Sequence, residues 1–396
     1  MSIIHEDDRG WLVDHEEGIN KELEIGLQCK DGLFEICHPF MMDSQFLKLQ
    51  SQAQASSISD MPAKKKKRKR KAEANFGETA LSESYEKIKE ILSKALEQIV
   101  TIGREKGFLL KEQPALMDNN KVARQVAAAA EGCGDALREI VAMTGETDDL
   151  KIPISISDEK CPDLVNRLVH NESNECIKVN FLGSRYFLPP KSSFLMSDFS
   201  SFGPLLQDGK KFDLIVMDPP WQNKSVKRKK TYDTLRTEEL VNLPIKELSR
   251  DGTLVVVWVT NRAQHEDIVT EQLFPAWNIC QFYKWYWLKI TKSGMPVYEL
   301  DSAHRKPYES LLIGRVQLSE APQTEKLKEI PNDRVIVSIP CSIHSRKPPL
   351  SEILQNFTIE DPSCLELFAR NLRANWTSWG NEVLAFQHED FFQHSK

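Results

Sequence analysis

Along this chain, short runs of large apolar residues alternate with polar, turn-rich breaks, and the character of the runs changes midway. Tyr85, Ile88, Leu92, Leu96, Ile99 and Ile102 recur every three or four residues, the spacing of one helix face. A second helix is predicted to start near Asn119-Asn120 and to carry Val122, Val126, Leu137, Ile140 and Val141, with Gly132 and Gly134 interrupting it. From about residue 150 onward the pattern changes to short continuous apolar runs: KFDLIVMD, GTLVVVWVTN, NICQFYKWYWLKI, ESLLIGRV, RVIVSIP and CLELFARN. Stretches such as Leu214 to Met217 and Leu254 to Val259 lack polar alternation, as strands buried on both faces do. CIKVNFLGSRYFLPP reads as two short strands around Gly183. Helical stretches, RTEELVNLPIKELS and PLSEILQNF among them, separate the strands. This alternation predicts an α/β fold with a mostly parallel sheet covered on both faces. Ligands of such sheets bind at the carboxyl ends of the strands, and Asp218 stands at one of those ends.

Composition divides the chain further. Residues 51–84 are poor in large apolar side chains and rich in Ser, Ala and charge, so an unstructured connector is expected there. Eight consecutive cations, Lys64 to Lys71, sit inside it. They read as a nuclear import signal or as a solvated block that binds polyanions weakly, and the two are compatible. Residues 1–50 carry Trp11, Leu12, Phe34, Ile36, Phe40 and Phe46, too little to fold alone, and are expected to dock on the main body. The expected organisation is therefore a docking segment (1–50), a disordered basic linker (51–78), a helical region (79–150) and a catalytic domain (151–396). With 396 residues, 40% hydrophobic and 28% charged, the chain has ordinary globular composition. Its net charge of −6 conceals the local basic blocks.

The eight cysteines form no CxxC pair, and the nearest approach to a metal site, Cys37-His38 near Cys29, is too sparse, so no metal is expected. Unpaired cysteines suggest a reducing compartment. The acidic N-terminus lacks the apolar core of a signal peptide, and no run is long enough to span a membrane. A soluble nuclear protein is the expectation.

The stretch VMDPPWQNKSVKRKK, Val216 to Lys230, carries the chemistry. Pro219 and Pro220 fix two φ angles and donate nothing, so the turn is stiff and its carbonyls are acceptors without neighbouring donors. Asp218 adds a carboxylate and Trp221 a flat apolar face. Together they suit a planar NH2 group on an aromatic ring, as in adenine. The lone pair of adenine N6 is delocalised into the ring, so acceptors that orient the nitrogen and favour charge developing on it would assist methyl transfer. A plain strand-ending turn is the alternative, because Asp and Pro are common turn residues.

VMDPPWQNKSVKR, WVTNR, KPYE, HSRKPPL and ELFARNLRANWTSWGNEV, in that order, resemble the DPPW-containing adenine-N6 methyltransferases, the family of the messenger-RNA N6-adenosine writer. The resemblance covers about residues 176–392. It implies a Rossmann-like fold with S-adenosylmethionine as methyl donor and a permuted motif order, the catalytic strand preceding the cofactor strand LELFAR. An Asn at the first motif position is typical of protein glutamine modifiers and a Ser of cytosine-N4 enzymes, so Asp218 points to adenine. Carried over residue by residue, the resemblance assigns cofactor contacts to Ser197, Asp198, Phe199, Lys347, Arg370, Asn371, Asn381 and Glu382, with Asp218 beside them. The chain looks two residues shorter near Asn371, Glu382 replaces the writer's glutamine, and the glycine-rich loop of other methyltransferases is missing, as it is in the writer itself.

The resemblance also places the loop after Trp221 over the target base. It implies substrate contacts from Asn223, Lys224, Lys227, Arg228, Lys229, Lys230 and Tyr232, with Asn261 and His304 to Glu309 as neighbours. By charge alone that loop reads equally well as a solvated one. Because N6 is inaccessible inside a duplex, the substrate must be single-stranded or flipped out. The family branch is associated with small nuclear RNA, at an adenosine already 2′-O-methylated, and also with adenine in DNA. RNA is the expected partner and DNA the alternative, with the protein acting as a monomer. A silent nucleic-acid-binding subunit is the remaining reading, and the presence of Asp218, Lys347 and Asn381 speaks against it.

Overall fold

In the computed structural model, the described residues are 2–23, 26–40, 76–112, 114, 119–144, 154–155, 163–221, 235–302, 305–319, 327–343 and 345–394. The basic block Lys64 to Lys71 and the loop carrying Asn223, Lys224, Lys227, Arg228, Lys229, Lys230 and Tyr232 lie outside them, as does His304.

The described strands are β1 (Ile3–Glu6), β2 (Gly10–Val13), β3 (Leu27–Cys29), β4 (Ile154–Ser155), β5 (Leu168–His170), β6 (Ile177–Phe181), β7 (Ser184–Leu188) and β8 (Ser193–Met196). They continue with β9 (Phe212–Met217), β10 (Ser249–Val259), β11 (Phe282–Lys289), β12 (Tyr308–Arg315), β13 (Val335–Ser338), β14 (Cys364–Leu367), β15 (Trp376–Gly380) and β16 (Phe392–His394). Twelve of them form one sheet in the order β1-β2-β13-β11-β12-β10-β9-β14-β15-β8-β5-β4. Its centre, from β10 through β9, β14 and β15 to β8, is parallel throughout. The sheet is mixed nonetheless, because β12 runs against both of its neighbours and β5 against β8.

Side-chain alternation explains why the central strands are apolar without a break. Ile215 and Met217 of β9, with Val255, Val257 and Val259 of β10, enter one cluster. Leu214, Val216, Leu254, Val256 and Trp258 enter another. Successive side chains point to opposite faces of a strand, and here both faces are covered.

Three helices of the N-terminal half are α1 (His15–Asn20), α2 (Phe76–Glu105) and α3 (Asn119–Thr144), the last of which reaches the site. Helix α2 begins at Phe76, inside the stretch expected to be linker, and buries Leu92, Ala95, Ile99 and Val100 against Leu12, Tyr286, Leu288, Val335 and Val337. Helix α3 runs continuously through Gly132 and Gly134, so the expected interruption does not occur, and it buries Leu137 and Val141. The N-terminal residues do more than lie against the surface: β2 is a strand of the main sheet, paired parallel with β13. The expected pair around Gly183 is the hairpin β6–β7, whose two turn residues, Leu182 and Gly183, both have positive φ.

Candidate active site

Four neighbouring parallel strands place the sequence-selected residues along one edge. Asp218 follows β9, Arg370 and Asn371 follow β14, Asn381 and Glu382 follow β15, and Ser197 to Phe199 follow β8. β8 comes first of the four in the chain yet lies beyond β15 in the sheet, and the catalytic β9 precedes β14 in the chain, so the permuted order is realised in the sheet.

Alternation supplies the charges. On the face that holds Leu214 and Val216, the next same-side position of β9 is Asp218. By the same step Leu311 leads back to Glu309 on the antiparallel β12, Trp287 leads on to Lys289, and Cys364 leads on to Glu366. Lys347, from the loop after β13, joins them: its Nζ is 2.9 Å from Asp218 Oδ2 and 2.8 Å from Glu309 Oε2. Lys289 holds the other oxygen of Glu309. Burial alone would raise the Glu309 pKa, but the two ammonium groups overcome it and hold the carboxyl well below its usual range. Burial likewise disfavours the charged Lys347, and Asp218 and Glu309 reverse this, raising its pKa. On Glu366 burial dominates and raises the pKa; Arg373 opposes it, and the nearby Asp218 reinforces it.

The DPPW turn is braced from below. Trp221 is 8% exposed, its indole N–H donates to the Trp258 carbonyl at 3.0 Å, and its backbone N–H donates to the Pro219 carbonyl at 2.7 Å. One ring face stacks on His265, with centroids 4.8 Å apart, and Thr260 fixes that imidazole through a 2.6 Å hydrogen bond to Nδ1. The expectation of an open stacking face at Trp221 is corrected accordingly: a ring this buried anchors the turn. Asp218, by contrast, retains 35% of its side-chain exposure. Asn261 donates to the Tyr308 carbonyl at 2.6 Å and so ties the end of β10 to the start of β12.

At the other end of the row, Ser197 is fully buried and accepts a hydrogen bond from the Trp379 indole at 2.9 Å. Asp198 is exposed and accepts from the backbone N–H and hydroxyl of Ser200. The Phe199 ring stands edge-on to Phe368 and Trp379, at 5.1 and 5.5 Å. Asn371 hydrogen-bonds Glu366. Glu382 departs from expectation, because both its oxygens are taken, by Arg370 and by Arg138 of α3.

Sequence reasoning passed over Lys289, His265, Glu366 and Arg138. A lysine closing the buried run Trp285 to Leu288 was a visible signal for the first; nothing in the pattern pointed to the others. Among the described residues, no group of three or more His, Cys, Asp or Glu could hold a metal ion, and no helix is long and apolar enough to cross a membrane.

Comparison with known proteins agrees with this architecture. The profile of the MT-A70 family matches residues 212–382. The chain is 41% identical to the N(6)-adenine-specific methyltransferase METTL4 of Homo sapiens over 330 residues, which is 80% of this chain and 69% of the human one. It is 32% identical to the DNA N6-methyl methyltransferase of Caenorhabditis elegans over 381 residues, 93% of each. It is 40% identical to the N6-methyladenosine RNA methyltransferase MTA1 of Pyricularia oryzae over 215 residues, 51% of this chain and 55% of that one. A strand row ending in Asp218, together with identity spread over most of both chains, makes this protein a METTL4-like member of the MT-A70 family of methyltransferases.

Proposed function

We propose that the chain transfers a methyl group to N6 of adenine in nuclear RNA, at an adenosine of small nuclear RNA that already carries a 2′-O-methyl group. The observation that carries this reading is Asp218, a partly exposed carboxylate on a rigid turn at the end of a central strand, paired with a lysine only 14% exposed. Asp218 and the Pro220 carbonyl accept the two N6 hydrogens and turn the nitrogen lone pair out of the ring plane, the Pro219 carbonyl being already engaged by the Trp221 N–H. Lys347 fixes the carboxylate, Glu309 fixes Lys347, and the buried Trp221 keeps the turn from moving.

S-adenosylmethionine, when bound, supplies an electrophilic methyl group on a positively charged sulfur. The donor set fits it: Asn381 makes no side-chain hydrogen bond among the described residues, Asp198 is exposed, and Phe199 gives an apolar wall, all at the ends of β8 and β15. Transfer of that methyl group to N6 would leave the sulfur neutral. The surplus N6 proton leaves through Asp218 to water.

The basic run from Lys224 to Lys230 is proposed to hold the phosphates, and the block from Lys64 to Lys71 to direct the chain to the nucleus. DNA is the second reading, favoured by the name of the Caenorhabditis elegans relative. The deciding experiment offers purified protein labelled S-adenosylmethionine with matched single-stranded RNA, 2′-O-methylated RNA and DNA oligonucleotides. Greatest transfer to the 2′-O-methylated RNA is expected, and equal or greater transfer to DNA overturns the RNA assignment. Asp218→Ala is expected to remove at least 1,000-fold of the turnover, about 4 kcal/mol of barrier, while leaving the fold and much of the nucleic-acid affinity intact. Undiminished turnover would rule out the mechanism.

A further inference from the structure

Glu382 stands where a carboxylate could meet ribose hydroxyls, yet the protein itself already occupies it. Its Oε1 is 2.9 Å from Nε of Arg370, and its Oε2 accepts from Nη1 of Arg138 at 2.6 Å. Arg370 belongs to the loop after β14, whereas Arg138 comes from α3, outside the 212–382 match to the family. The pair is sheltered: the side chains are 13% and 9% exposed.

Helix α3 is built for this approach. Gly134 lies one turn before Arg138, and a Cβ there would overlap Oε2 of Glu382. Glycine normally weakens a helix interior, so its presence is explained here by the space that the carboxylate takes. Leu137 and Val141, buried at 0% and 2%, press the same stretch of helix onto the core. The guanidinium also holds Asp135 on its own helix, so its planar fork is fixed on two carboxylates at once. Asn381, adjacent to Glu382, is 9% exposed and makes no side-chain hydrogen bond among the described residues.

We propose that Arg138 is a positioning residue for the methyl donor: acting through Glu382, it sets Arg370 and Asn381 for the donor's ribose hydroxyls. Helix α3 is then a wall of the cofactor pocket. This rests on the reading of that pocket given above.

Binding of S-adenosylhomocysteine, which does not react, is measured by calorimetry on the full chain. Failure of the unaltered protein to bind it sinks the pocket reading and this inference together. If it binds, Arg138→Met is expected to weaken the affinity tenfold or more, and Arg138→Lys to restore part of it. KM for S-adenosylmethionine should rise while kcat stays within a few-fold. In a Glu382→Ala background, Arg138→Met should add little. Unchanged affinity in Arg138→Met, or effects that simply add with those of Glu382→Ala, overturns the proposal with the pocket reading intact. Should Arg138→Met fail to fold, Gly134→Ala tests the same contact: a weakened affinity supports the proposal, an unchanged one overturns it.

Discussion

At the scale of single residues, the site is a chain of alternating charges: Lys289, Glu309, Lys347, Asp218. Each member is unfavourable to bury alone, and each is tolerable because its neighbour has the opposite sign. Glu309 lies between two cations, so its replacement tests the whole chain. Its folded pKa is depressed, so its contribution to stability is present above the unfolded value of about 4.3 and is lost as pH falls toward the folded one. Lys347 has a raised pKa, so its contribution is present below about 10.4 and fades as pH rises through the folded value. Glu309→Gln should therefore destabilise the protein near neutral pH. Partial exposure reduces the expected loss to about 2 kcal/mol. Urea titration at a series of pH values should show the gap between variant and unaltered protein beginning to narrow below about pH 4, where the unfolded chain takes up a proton that the folded Glu309 carboxyl still resists. A gap that stays constant down to pH 3 would separate Glu309 from this electrostatic role.

The elements explain which of these features were legible beforehand. β9 and β10 were readable because burial on both faces removes polar alternation, and Asp218 was readable because an acid directly after such a run marks a strand end. The strand order was not: the placing of β14 beside β9 and of β15 beside β8 depends on pairing across long sequence separations, of which local periodicity holds no trace. β2 escaped notice for a related reason, since Gly10–Val13 is too short to show a period and acquires its place from β13. Gly132 and Gly134 misled because a glycine inside a helical pattern reads as a break, whereas at Gly134 it records a neighbour that only the tertiary structure brings. Gly380 is comparable: it ends β15 directly before Asn381, and a Cβ there would run into the Ala369 carbonyl in the loop after β14. Gly380→Ala should cost about 1–3 kcal/mol by overpacking and should weaken S-adenosylhomocysteine binding more than nucleic-acid binding. Calorimetric titration of both ligands checks this, and equal losses for the two would mean that the strand ends are not specific to the donor.

For the whole molecule, the question is how a protein with a net charge of −6 holds a polyanion. Long-range attraction cannot do it, since the summed field of the chain repels phosphate and is screened beyond about 8 Å at physiological salt. Binding must therefore depend on local cations, and the densest group attached to the catalytic turn is Lys224, Lys227, Arg228, Lys229 and Lys230. Each phosphate neutralised on a single strand releases condensed counterions and adds about 0.7 to the slope of log affinity against log salt. Replacing Lys227 and Arg228 together with Ala should remove two such contacts and flatten that slope by about 1.4. The loss should be nearly independent of base sequence, because phosphates carry no sequence information. Fluorescence anisotropy with single-stranded oligonucleotides between 50 and about 300 mM salt, the range in which counterion release is well resolved, measures the slope directly. A slope unchanged in the double variant would place these cations away from the backbone and move the search for the nucleic-acid surface to another part of the chain.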